Sequence, residues 1–110
     1  MERIVYKAFE LAANCKAWEW YSNSWHRGQV YKEFGESLWE WLDSIVAVIQ
    51  GSTDGKVNFT AAKVEIKKFN WVDLKDFIKL VESTENEDYK PFLVDLQILL
   101  YSTVNKLKQK

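Results

Sequence analysis

The chain has 110 residues, of which 47% are hydrophobic and 28% are charged, a composition that indicates one folded domain and excludes an intrinsically disordered protein. Basic and acidic residues nearly balance, so the net charge of -1 gives no overall positive field that would draw the protein onto nucleic acid or an anionic membrane. Aromatic residues reach 15% and include 6 tryptophans, an excess that is typical of a large core or an interface.

Cysteine usage and hydropathy indicate the cellular setting. The single cysteine, Cys15, excludes a disulfide within the chain, and the first residues lack the charged-then-apolar pattern of a secretion signal. No apolar run approaches the roughly 18 residues of a membrane-spanning helix. We therefore expect a cytoplasmic protein in a reducing compartment, with no membrane partner and no nucleic-acid partner.

A first helix is predicted over residues 4–25, because apolar or small residues recur there every three or four positions. The predicted inner face consists of Ile4, Ala8, Leu11, Cys15, Trp18, Ser22 and Trp25. The only histidine, His26, is then expected to close this helix, where it would interact with the helix dipole or a backbone carbonyl. Gly28 is expected to break the chain before the next helix.

A second helix is predicted after Gly28, ending at Gly51, which is suited to a C-terminal cap. Its inner face consists of Tyr31, Phe34, Leu38, Leu42, Ile45 and Ile49. Residues 52–55 are typical of a turn. Residues 56–69 fit both a strand-like alternation and a short helix, so we expect a crossover there.

Two more helices are predicted in the second half of the chain. Asn70 can cap the third helix, Thr84 and Glu87 have the spacing of a capping box for the fourth, and Pro91 then falls near the first turn of that helix. Their inner faces consist of Trp71, Leu74, Phe77, Ile78 and Val81, then Tyr89, Leu93, Leu96, Leu100, Val104 and Leu107.

The fold class that follows is all-α, a four-helix bundle with a crossover, either a short helix or a hairpin, between the second and third helices. All 110 residues form a single domain in this prediction. One core is expected to bury Leu11, Trp18, Phe34, Leu38, Leu42, Phe77, Leu93, Leu96 and Leu100.

A family resemblance accompanies this pattern. The segment from Trp18 to Gly51, with Gly28, the spacing of Phe34 and Leu38, and the run Leu42-Asp43-Ser44-Ile45, resembles the first helical hairpin of small ferritin-like proteins. The likeness is to the mini-ferritin type and its shortened phage-encoded relatives. It implies a ferritin-like bundle whose metal-ligand positions hold Glu19, Gly28, Asp43 and Ala47 here, so half of the ligand chemistry is missing. The resemblance implies a degenerate metal site on a scaffold reused for binding.

An acidic stripe is predicted on the second helix, opposite its apolar face. It consists of Glu33, Glu36, Glu40 and Asp43, which follow one another at steps of three and four. Such a stripe is most often a solvated outer face. The alternatives are a docking strip for a basic partner or, if the carboxylates face inward, ligands for a pair of metal ions.

Second apolar stripes are predicted on the first and fourth helices. They consist of Tyr6, Phe9, Ala13 and Trp20, and of Val94, Ile98 and Tyr101. A small bundle buries one stripe per helix, so each second stripe needs a further covering. Either the crossover folds over one of them, or they form a homo-oligomer contact or a protein-docking site with Trp20 and Tyr101 as anchors.

The motifs of common enzymes are missing from the sequence. It lacks a glycine-rich phosphate loop, a G-x-S-x-G nucleophile turn and the His-Cys spacing of a zinc site. We therefore expect a non-enzymatic protein-binding bundle without a cofactor, of the type that phages use to inhibit a host factor. The alternatives are a flat nucleotide-like ligand bound by tryptophans, and a ferritin-like metal binder that uses Glu19, His26, Glu36, Glu40 or Asp43.

Overall fold

The computed structural model describes residues 1–52 and 63–109. Within these ranges the protein consists of four α-helices and one short 3₁₀ helix, without a strand, so the predicted all-α four-helix bundle is confirmed. The elements are α1 (Glu2–Tyr21), α2 (Trp25–Ser52), α3 (Trp71–Ser83), the 3₁₀ helix (Glu87–Tyr89) and α4 (Lys90–Lys108). The predicted turn at residues 53–55 and the ambiguous pattern of residues 56–62 lie outside the described residues.

The four helices enclose one core. In the described part of the chain, α1 packs on α2, α2 on α4, α4 on α3, and α3 returns to α1, so α1 and α4 lie diagonally across the bundle. Of the predicted core, Leu11 and Trp18 are only half-buried at its edge. The other seven residues are buried as predicted, namely Phe34, Leu38, Leu42, Phe77, Leu93, Leu96 and Leu100.

The boundary between α1 and α2 differs from the prediction. α1 ends at Tyr21, because Ser22 is extended (φ -69°, ψ 132°) and its hydroxyl accepts a hydrogen bond from the Ser24 amide. Ser24 then caps α2, since its hydroxyl accepts from the Arg27 amide at 3.3 Å and its carbonyl accepts from the Gly28 amide at 2.9 Å. The predicted break at Gly28 is therefore wrong, because two serines end one helix and begin the next.

Three expectations change with this boundary. Trp25 is the first residue of α2 and is 81% exposed, so it is wrong as a core residue. His26 lies in the first turn of α2 rather than at the end of α1, and its Nε2 lies 3.1 Å from the Lys106 carbonyl oxygen on α4. Gly51 lies inside α2, which continues through Ser52.

The caps of the second half are partly as predicted. Asn70 caps α3, because its side chain accepts from the Val72 amide at 2.8 Å. The predicted capping box at Thr84 is wrong. Thr84 instead ends α3, its hydroxyl donating to the Leu80 carbonyl at 2.7 Å, while Asn86 caps the 3₁₀ helix. Pro91 lies in the first turn of α4, as expected.

A close contact between α1 and α2 lies at Cys15 and Gly35. A methyl group placed on Gly35 would lie 3.0 Å from the Cys15 Cβ atom, which is shorter than a normal carbon contact. Cys15 is a free, buried thiol, and burial raises its pKa to about 12. The predicted role of Cys15 as a core residue is confirmed, and a thiol in this state is a poor nucleophile.

Residues 63–69, which we call the crossover segment, lie along α1 without forming a helix or a strand. The buried Asn14 side chain donates to the Glu65 carbonyl at 2.9 Å and accepts from the Lys67 amide at 2.7 Å. The Trp18 indole N–H donates to the Lys67 carbonyl at 2.6 Å. The crossover segment is thus held to α1 by hydrogen bonds to its main chain.

Candidate functional site

An aromatic cluster forms where the crossover segment meets α1 and α2. The rings of Trp18, Tyr31 and Phe69 contact one another with centroid distances of 5.3 to 5.7 Å. Trp71, at the start of α3, adds a fourth ring 5.0 Å from Phe69. Because these rings come from three elements and the crossover segment, the cluster fixes this end of the bundle.

Arg27 covers this cluster. Its guanidinium carbon lies 5.7 Å from the centre of the Tyr31 ring and 5.6 Å from that of Phe69, and its Nη2 donates to the Tyr31 hydroxyl at 3.0 Å. Arg27 makes no ion pair with a carboxylate among the described residues. Since a guanidinium has five N–H donors, this half-buried cation retains capacity for an anionic group.

An open groove of about 720 Å³ lies between the α1–α2 turn and the crossover segment. We call it the aromatic groove. Trp18, Tyr31 and Phe69 form its apolar lining, and its outer residues are Tyr21, Arg27, Ile66, Lys67 and Lys68. Two large side chains on its walls face solvent, since Tyr21 is 81% exposed and Ile66 is 59% exposed.

The α1–α2 turn carries two more exposed tryptophans. Trp20 is 72% exposed and Trp25 is 81% exposed, so three large aromatic side chains, with Tyr21, stand in solvent within six residues. The Lys16 ammonium lies 6.0 Å from the centre of the Trp20 ring. Isolated surface hydrophobics are ordinary, whereas a group of aromatics beside a groove is typical of a binding surface.

The predicted second stripe of α1 is divided by the structure. Tyr6, Phe9 and Ala13 are half-buried, and Phe9 makes an edge-to-face contact with Trp39 of α2 at 5.3 Å. Tyr6 and Phe9 also line a shallow depression with Val64 of the crossover segment. The pKa of Tyr6 is raised, chiefly by partial desolvation of its hydroxyl and to a smaller extent by the neighbouring Glu2 carboxylate. Of the four predicted residues, only Trp20 projects into solvent.

The predicted second stripe of α4 is exposed. Val94, Ile98 and Tyr101 are 44%, 64% and 52% exposed. Because α1 and α4 are diagonal in the bundle, the structure does not bring this stripe together with Trp20.

The acidic stripe faces outward. Glu33, Glu36, Glu40 and Asp43 are all exposed, so the inward-facing alternative is wrong, and Glu33 lies 3.6 Å from the Lys106 ammonium. Among residues 1–52 and 63–109, no group of three or more His, Cys, Asp or Glu side chains is arranged to hold a metal ion.

The remaining ligand candidates have other contacts. Glu19 pairs with Lys16 at 3.2 Å, and His26 contacts the Lys106 carbonyl. Ala47, at a ligand position implied by the ferritin-like resemblance, offers no donor atom, and Gly28 offers no side chain. The described residues therefore do not bring together the set that the metal-binding alternative requires.

Sequence reasoning missed Tyr21, Trp25, Arg27 and Ile66 as site residues. Helical spacing alone places Trp25 in the core, because it extends the first helix through that position. The pair of serines at 22 and 24, both good capping residues, is the signal that places the turn correctly. No local signal places Ile66 beside Tyr21, because the bonds that hold the crossover segment join residues about fifty positions apart.

These features define a four-helix bundle with an aromatic, cation-bordered groove at one end. Comparisons with protein-family models, with curated proteins and with solved structures found no match for this chain. Within the described residues, no helix is both long enough and apolar enough to cross a membrane.

Proposed function

We propose that this protein is a non-enzymatic protein-binding module and that its aromatic groove binds the partner. The observation that carries the proposal is the exposure of Tyr21 on the wall of this groove, with Trp20 and Trp25 also exposed at the adjoining ends of α1 and α2. Leaving three large aromatic rings in water is unfavourable for an isolated protein, and such residues supply most of the energy in protein interfaces. We therefore expect a partner to cover them.

The cations at the groove favour an acidic partner. Arg27 has unused donors above an aromatic surface, where water competes less with an incoming carboxylate. Lys68 makes no ion pair among the described residues, whereas Lys67 lies 3.5 Å from the Glu65 carboxylate. A partner segment that alternates apolar groups with carboxylates fits both the lining and the outer residues.

A flat nucleotide-like ligand fits the groove less well. The ring pairs of Trp18, Tyr31 and Phe69 meet at angles of 47° to 86°, so one pair is edge-to-face, two are tilted, and none leaves a slot between parallel rings. The Trp18 indole N–H is also occupied by the Lys67 carbonyl. Stacking of a base requires a free ring face, and this cluster uses its faces internally.

The proposal also covers the cellular compartment of the protein, its mode of action and its assembly. We place the protein in a reducing cytoplasm, in keeping with its buried free thiol, and we retain inhibition of a host factor, of the phage type, as the form of its action. The ferritin-like resemblance remains a proposal of scaffold ancestry alone. A homo-oligomer through the α4 stripe is the competing assembly.

Selection from a random peptide library displayed on phage tests the proposal, because it requires no identified partner. We expect the selected peptides to bind the intact protein and to lose at least about tenfold in affinity in the double variant Tyr21→Ser and Trp25→Ser, as for interface anchors. Fluorescence anisotropy of labelled peptides measures this affinity. Arg27→Ala is expected to weaken binding most for peptides rich in Asp and Glu.

Tyr101→Ser provides the matched control, because it removes an exposed aromatic side chain from the distant α4 stripe. Circular dichroism and thermal unfolding should show the same fold in every variant. Selected peptides that bind the double variant as tightly as the original protein would contradict the proposal, as would a selection that enriches none. Loss of binding in Tyr101→Ser alone would move the site to α4.

A further inference from the structure

The crossover segment is bonded to α1 along one main-chain edge. On the side facing α1, the Glu65 carbonyl and the Lys67 amide both bond to Asn14, and the Lys67 carbonyl bonds to Trp18. Because the Glu65 carbonyl and the Lys67 amide bond to Asn14 rather than to each other, and the Lys67 carbonyl points to the same side, the chain between them has the alternation of an extended strand and not a γ-turn. The segment is therefore paired along its inner edge by side chains rather than by a second strand.

The opposite edge is unpaired among the described residues. In an extended chain the main-chain groups of alternate residues point to opposite sides, so those of Val64, Ile66 and Lys68 point away from α1. These three residues make no main-chain hydrogen bond within the described part of the chain. All three are exposed, and Ile66 is the most exposed large hydrophobic residue of the crossover segment. Such an edge is a template for strand pairing.

We propose that the partner binds as an extended strand that pairs with the main chain of Val64, Ile66 and Lys68. This inference rests on the proposed protein-binding function and adds the conformation of the bound segment. In strand addition the main-chain hydrogen bonds supply affinity, and nearby pockets select the alternate side chains. Ile66 and Lys68 also line the aromatic groove, so a strand on this edge passes directly beside Tyr21.

The charges of the edge determine the occupant. Lys63, Lys67 and Lys68 outnumber the single carboxylate of Glu65 in the crossover segment. Each copy of this edge carries that excess of positive charge, so two copies repel one another and self-pairing is disfavoured. An acidic strand makes favourable cross-strand pairs at the same positions. The occupant is therefore an extended acidic segment of another protein.

Amide hydrogen exchange followed by NMR tests this inference, using the complete chain and the tightest peptide from the library selection. In the free protein, the Lys67 amide should exchange more slowly than those of Ile66 and Lys68, because only Lys67 donates to Asn14. On binding the peptide, the amides of Ile66 and Lys68 should slow by about tenfold or more. Unchanged exchange at both amides in the bound state would overturn strand addition.

The affinity of an Ile66→Pro variant for the peptide provides a second test, because proline removes one outer amide donor and keeps an extended backbone. Ile66→Ala is the matched control, since it loses the same side chain and retains the N–H group. We expect the proline variant to bind the peptide roughly fivefold or more weakly than the alanine variant, a factor of the order of one hydrogen bond. Equal affinities, with the fold intact by circular dichroism, would overturn the inference.

The two proposals fail in different ways. A peptide that depends on Tyr21 and Trp25 but leaves the outer amides unprotected supports groove binding and rejects strand addition. A selection that yields no groove-dependent peptide rejects both proposals together.

Discussion

Asn14 is the residue on which the position of the crossover segment depends. It is one of the few buried polar side chains of the described structure, and its amide group makes three hydrogen bonds, to the Glu10 carbonyl, the Glu65 carbonyl and the Lys67 amide. An asparagine can do this because it offers both donors and an acceptor at one position. The same atoms fix which edge of the crossover segment faces outward.

Asn14→Asp should therefore destabilise the protein despite its nearly identical shape. The two N–H donors are replaced by a carboxylate oxygen that faces the Glu10 and Glu65 carbonyl oxygens and is repelled by them. Because this repulsion occurs in a buried site, it should lower the free energy of unfolding by about 2–4 kcal/mol. Urea unfolding measures the loss.

Asn70→Asp is the matched control for this change. Asn70 caps α3 through its side-chain oxygen, a role that aspartate fills equally well, so its variant should stay within about 0.5 kcal/mol of the original protein. Similar effects at both positions would show that the hydrogen bonds of Asn14 are not what holds the crossover segment.

Among the elements, the α1–α2 pair is defined by the absence of a side chain at Gly35. A methyl group on Gly35 would lie only 3.0 Å from the Cys15 Cβ atom. Because glycine has no such group, the two helices can approach this closely. Glycine weakens a helix interior relative to alanine, so its presence in α2 is explained by packing.

Gly35→Ala should lower the free energy of unfolding by about 1–3 kcal/mol, because the overpacked interface outweighs the gain in helix propensity. Gly28→Ala serves as control. A methyl group there meets the Glu19 carbonyl at an ordinary 3.7 Å, so the propensity gain should leave the protein equally stable or more stable. Thermal unfolding compares the two variants, and a Gly35→Ala protein as stable as Gly28→Ala would contradict the proposed close contact.

The sequence predicts the inner faces of the helices better than their ends. Apolar residues spaced three and four positions apart lie on one face of a helix, and that face packs on the core. Leu38, Leu96 and Leu100 are predicted correctly for this reason. Helix ends depend on single hydroxyl or amide groups, and several residues compete for each cap. Ser24 and Thr84 show this, since the capping role of Ser24 is not predicted and Thr84 is predicted to cap the wrong helix.

At the scale of the whole molecule, the four helices share one core and should unfold together. Leu38 of α2 and Leu96 of α4 are both fully buried. Truncating either to alanine should lower the free energy of unfolding by about 2–5 kcal/mol, the cost of a buried leucine and its cavity. Denaturant unfolding followed by circular dichroism measures the cost.

Ile98→Ala on α4 is the control, because Ile98 is 64% exposed and should change stability by no more than about 0.5 kcal/mol. If the Leu38 and Leu96 variants were as stable as this control, the assignment of the core would be contradicted.

The candidate site is less predictable than the core. The surplus of aromatic residues indicates a large core or an interface without showing which rings are exposed, and helical spacing alone places Trp20, which is exposed, off the inner face of α1. The groove itself arises from tertiary contacts, in which Asn14 and Trp18 hold a segment some fifty residues away. Such long-range hydrogen bonds leave no periodicity in the sequence.

The buried thiol at the α1–α2 contact is also an internal reporter of helix separation. Cys15 is shielded from solvent, and its raised pKa keeps it protonated at neutral pH, so an alkylating reagent reacts only after the helices part. Because the chain has no other cysteine, each modified molecule records one such opening at a known position. When the reagent is concentrated enough for alkylation to outpace reclosing, the rate of alkylation measures how often this interface opens, without any substitution in the protein.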